Sequence, residues 1–73
     1  MNKTIYSKDH KYLIRQLKKA REEAGLDQKE VARLLGRTQS YVSKAESGQR
    51  RIDIVQLKGF ARIYRKNLDF FYK

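Results

Sequence analysis

The sequence predicts an all-α fold: five short helices packed as one compact bundle. Three observations carry this. Apolar residues recur at helical spacing along almost the whole chain, and strand-like alternation is weak. A capping residue stands ahead of each apolar stretch, and three of the four glycines stand where a helix should stop. The chain has no proline to interrupt a helix.

Taken in order, the first helix is expected over residues 8–24. Ser7 is its N-cap, and Asp9 lies favourably in its first turn. Its apolar stripe is Leu13, Leu17, Ala20 and Ala24, joined by Ile14, and Gly25 follows in a position suited to a left-handed residue. The second helix begins with a capping box, Asp27 and Glu30. Val31, Ala32, Leu34 and Leu35 form its apolar face, and Gly36 closes it. The third helix, over 38–47, starts at the cap Thr38, turns Val42 and Ala45 inward and ends at Gly48. A basic loop of Gln49, Arg50 and Arg51 leads to the fourth helix, opened by a second capping box, Asp53 and Gln56. Its inward stripe is Ile54, Leu57, Phe60, Ala61 and Tyr64. Asn67 is expected to cap a last short helix over 68–72. Leu68 and Phe71 belong inside it, whereas Phe70 and Tyr72 cannot both join them. Loops this short suit a compact bundle.

A chain of 73 residues is one domain, with a core over 8–72 and an N-terminal arm over 1–7. Such a domain buries only ~60% of its unfolded surface, leaving little room for an elaborate active site beside a core. There is no cysteine, so disulfides and thiolate metal sites are excluded. The single histidine, His10, has no second histidine near it and is expected to be satisfied or exposed rather than a metal ligand. There is no Ser-His-acid set and no glycine-rich phosphate loop, so no enzymatic activity is expected and no cofactor is implied. No apolar run approaches the ~20 residues that span a membrane, and the first residues lack the apolar core of a signal peptide, so a cytoplasmic protein is expected. Eighteen Lys and Arg against eight Asp and Glu give a net charge of +10, which favours polyanionic partners.

The second and third helices meet the requirements of a helix-turn-helix. The crossing needs a small residue in the first of the pair, here Ala32. The turn needs glycine where φ is positive, here Gly36, and the inner face of the second helix needs a branched apolar residue, here Val42. In such units the second helix enters the major groove by its N-terminal turns. Gln39, Ser40, Ser43 and Lys44 stand there as candidate base readers, and Gln39 can pair bidentately with adenine. Candidate contacts to the DNA backbone are Gln28 at the head of the second helix, Arg37, Thr38 and Tyr41 around the turn, and Gln49, Arg50 and Arg51 beyond the third helix.

From Leu13 to Tyr72 the chain resembles the phage repressor/Cro type of helix-turn-helix domain, the XRE family. The shared pattern is LKKAREEAGLDQKEVARLLGRTQSYVSKAESGQRRID, then LKGFARIY and LDFF. The resemblance implies a lambda-repressor-like bundle and a sequence-specific, double-stranded DNA-binding transcriptional regulator of repressor type. It departs from the family at Asp27, where threonine is usual, and at Ala45, where a large apolar or aromatic residue is usual. Ile52 stands in a loop that often holds proline. Arg21 and Glu46 match positions that pair in several members. Independently, Arg21 continues the Leu13, Leu17 stripe, and a buried arginine needs a carboxylate. Many members dimerise through their C-terminal helix, which makes Leu68, Phe70, Phe71 and Tyr72 the candidate homodimer interface and a palindromic operator the expected site, with half-sites ~34 Å apart. The same domain serves DNA-binding antitoxins and restriction–modification controllers. A cationic module for membranes or protein partners is the rival class, but the first helix has no Trp or Phe on its apolar face and needs that face for the core.

Overall fold

The computed structural model describes residues 7–72. The expected arm over 1–7 therefore lies outside the described residues except for Ser7, whose side chain accepts a hydrogen bond from the His10 amide and caps the first helix. Four α-helices follow: α1 (Lys8–Glu23), α2 (Gln28–Leu35), α3 (Gln39–Ser47) and α4 (Ile54–Tyr64). The expected fifth helix is a single 3-10 turn, Leu68–Phe71. Asn67 makes no side-chain cap there. The segment is held from outside instead: Gln16 of α1 donates its side-chain amide to the Phe70 carbonyl at 2.9 Å. A four-residue segment gains too few internal bonds to sustain an α-helix, so tertiary contacts set its form.

Both capping boxes are formed. Asp27 accepts from the Glu30 amide at 2.8 Å, and Glu30 accepts from the Asp27 amide at 3.0 Å. Asp53 and Gln56 repeat the arrangement at 2.8 and 2.9 Å. Each box satisfies two backbone donors that a helix start would otherwise leave open. The helix ends share a second device. After α2, the Arg37 amide reaches back to the Ala32 carbonyl around the left-handed Gly36. After α3, the Gln49 amide reaches Lys44 around Gly48. After α4 the same turn is made by Arg65, a non-glycine residue with φ of 58°.

α2 packs against α3, and α1 packs against α3, α4 and the terminal turn. The core between them is Leu17, Ala20, Val31, Val42, Phe60 and Phe71 with their neighbours, and Phe60 stacks between Tyr41 and Tyr64. Ala45 is fully buried in this cluster, whose bulk comes from aromatic residues of α3, α4 and the terminal turn. Four sequence expectations are corrected. Leu34 and Ile54 are mainly exposed, and Ala24 is exposed as the C-terminal cap of α1. His10 is neither satisfied nor exposed. It lies on the inward stripe of α1, three, four and seven residues before Leu13, Ile14 and Leu17, and its Nε2 is buried without a hydrogen-bond partner. Among the described residues no cluster has the make-up of a metal site, and no helix is long and apolar enough to cross a membrane.

Candidate nucleic-acid interface

The helix-turn-helix is made by α2, the turn 36–38 and α3. Gly36 takes φ of 71°, where an added Cβ would meet no atom within 4 Å, so glycine serves the backbone conformation there rather than a tight contact. Ala32 and Val42 are buried at the crossing. Thr38 caps α3 by accepting from the Tyr41 amide at 3.2 Å, so its hydroxyl is committed to the helix start.

The first two turns of α3 divide cleanly. Tyr41, Val42, Ala45 and Glu46 face inward. Gln39, Ser40, Ser43 and Lys44 face solvent, and no side chain among the four is engaged by the rest of the described chain. They form one polar surface with free donors and acceptors at the end of α3 that a groove would meet first.

The other site candidates precede α3, follow it or lie on its inner face. Arg37, Gln49 and Arg51 are exposed, and Arg50 is half-buried. Gln28 does not point freely outward: its side-chain amide donates to Glu46 Oε1 at 3.1 Å. Tyr41 departs most from the sequence reading. Its ring is buried and stacked on Phe60, with centroids 6.2 Å apart and planes 6° from parallel. The guanidinium carbon of Arg37 lies 4.9 Å from its centroid and that of Arg50 lies 4.5 Å away. The spacing of Tyr41, Val42 and Ala45 held the signal for this inward placement, since the three fall on one helical face.

Behind the surface, Arg21 and Glu46 lock α1 to α3. Arg21 Nε donates to Glu46 Oε2 at 2.7 Å, and Nη2 donates to Oε1 at 3.2 Å. Nη1 donates to the Leu26 carbonyl at 3.0 Å. The side chains are only 13% and 4% exposed, so this is a largely desolvated bidentate pair. Its hydrogen bond to Glu46 raises the Arg21 guanidinium pKa above its ordinary value. With Gln28 bonded to the same carboxylate, one acid fixes the relation of α1, α2 and α3 behind the exposed polar turns. Nothing in the sequence at Gln28 announced this third partner.

At the C-terminal end, Phe71 is buried and packs edge-on against Phe70, with centroids 5.2 Å apart. Phe71 thus belongs to the core and is withdrawn from the candidate interface. Leu68 and Phe70 are half-buried, the Lys66 ammonium lies over the Phe70 ring, and Tyr72 is exposed. Lys66 also donates to Glu23 at 2.7 Å, which holds that carboxyl below its ordinary range.

A helix-turn-helix family model matches residues 17–71. Among solved structures, the chain is similar to an XRE-family like protein from Pseudomonas syringae pv. tomato str. DC3000, at 42% sequence identity and a TM-score of 0.81. That match covers 89% of this chain and 79% of the other. No match to a curated protein was found.

Proposed function

The chain belongs to the XRE family of helix-turn-helix DNA-binding regulators, and from that premise we propose that it is a sequence-specific repressor that reads the major groove with α3 and acts by occupying its site. The observation that carries this reading is the exposed set Gln39, Ser40, Ser43 and Lys44 on the leading turns of α3, uncommitted to the fold, in a helix whose Tyr41 ring gathers Arg37 and Arg50 and which the exposed Arg51 follows in sequence. The net charge of +10 supports a phosphate backbone as the partner. Base selection rests mainly on Gln39, because hydroxyls discriminate weakly between base edges. Gln28 and Thr38 contribute through backbone N–H groups at helix N-termini, since their side chains are already bonded within the fold, and Gln49 contributes through its exposed side chain.

A homodimer on a palindromic operator completes the proposal, with Leu68, Phe70 and the exposed Tyr72 as its contact surface. Selection of binding sites from a random duplex pool tests recognition, preference and symmetry together. A two-fold symmetric consensus is expected. On the selected site, Gln39→Ala should cost about 1–3 kcal/mol and relax preference at one base pair, while binding to random duplex stays unchanged. Equal losses on both duplexes would remove Gln39 as a reader.

A further inference from the structure

Arg37 and Arg50 are thirteen positions apart, on either side of α3, and the sequence gives no reason for them to meet. The fold brings both onto the ring of Tyr41. We infer that the two guanidinium groups form one site on that ring, which takes a single phosphate of the DNA backbone. This deepens the DNA-binding reading and rests on it.

Three observations lead there. First, the platform is fixed. Tyr41 is buried, its ring is stacked on Phe60, and its amide is held by Thr38, so the two arginines gather on an immobile surface. The ring face is negative and attracts both cations, most strongly where water is excluded. Second, the gathered charge is not neutralised. Among the described residues neither arginine has an ion-pair partner. The nearest carboxylate in sequence, Asp53, accepts from the Gln56 amide. Two like charges over one ring repel, and an anion between them removes that repulsion. Third, Arg50 Nε is buried with no acceptor, so this part of the cation has lost water without gaining a hydrogen bond in return. A tetrahedral phosphate offers two unesterified oxygens and suits the planar fork of each guanidinium. DNA is the source because Tyr41, the ring that gathers the pair, belongs to the first turn of α3, the helix whose exposed residues are proposed to read the groove.

The test is a salt titration of binding to the selected duplex, read by fluorescence anisotropy, for the wild type, R37Q, R50Q and the double variant. Each single variant is expected to lower the slope of log affinity against log salt by about 0.9, and the double variant by no more than that, because one phosphate is lost in every case. Duplexes carrying one neutral methylphosphonate at a time give a second readout. At one backbone position, both single variants should bind as tightly as the wild type. Losses that add to about 1.8 in the double variant, or different methylphosphonate positions for the two arginines, assign them separate phosphates and overturn the inference. An unchanged slope in both single variants also overturns it. Tyr41→Phe should keep the coupling, and Tyr41→Leu should make the losses additive. If Tyr41→Leu fails to fold by circular dichroism, the arginine cycle alone decides. A wild type that binds no duplex overturns the DNA-binding reading itself, a distinct result.

Discussion

Tyr64 shows how a single polar atom in a small core can govern the behaviour of the protein in alkali. Its hydroxyl is buried without a hydrogen-bond partner. Burial pushes the phenol pKa up from its ordinary 10.0, the Glu46 carboxylate pushes the same way, and Arg21 opposes them. The group therefore holds its proton more tightly when folded than when unfolded. Its contribution is intact below the unfolded value and is lost as pH rises through the interval up to the folded one. Stability should fall above about pH 10. Tyr64→Phe should remove that loss and, by deleting an unsatisfied hydroxyl, stabilise the protein by about 1 kcal/mol at neutral pH. Urea titrations of both proteins at neutral and alkaline pH check this, and parallel pH curves would contradict it. Tyr41 carries the opposite lesson about legibility. Its placement was readable from helical spacing, but its identity as a groove-side aromatic drew it outward. His10 follows its stripe in the same way: its place on the inward face of α1 outweighs the polarity of its side chain.

The helices themselves were legible because their signals are local. A cap, a box three residues on and a glycine at the end act within one or two turns, whatever surrounds them. The terminal 3-10 turn was not, because it depends on a bond from Gln16, fifty-four residues earlier, and on packing against α1. The end of α4 was equally silent, since Arg65 takes the left-handed position without being glycine. These ends respond differently to substitution. Gly36→Ala should cost about 1 kcal/mol, from conformation alone. Gly48→Ala should cost at least as much, because φ is 85° there and the new Cβ would also displace Ile14 Cδ1, the side-chain end 2.6 Å away. Arg65→Gly should raise stability by about 0.5–1 kcal/mol, since relief of the left-handed strain exceeds the added freedom of the unfolded chain. Thermal melts of the three variants test the order, and a Gly48→Ala milder than Gly36→Ala would contradict it.

Across the whole molecule, α1 is joined to the helix-turn-helix by the shared core around Leu17 and Ala20 and by Glu46, which receives Arg21 from α1 and Gln28 from α2. Glu46→Ala leaves a desolvated guanidinium unpaired and should cost about 3 kcal/mol or more, a large share of the ~5–15 kcal/mol that holds a domain together. A loss below about 0.5 kcal/mol in a denaturant titration would mean that the pair contributes no more than an exposed one. The Arg21–Glu46 match came from resemblance and from the inward stripe, whereas the meeting of Arg37 and Arg50 required knowing where Tyr41 lies in three dimensions. The framework and the turns proposed to read DNA use almost separate residues. Gln39, Ser40, Ser43 and Lys44 hold nothing together, while Glu46, Val42 and Tyr41 hold the helix in place. Such a division makes the protein easy to diverge. Under the proposed function, duplicated copies of the gene can accumulate changes at those four positions and acquire new operators while the scaffold stays as stable as before.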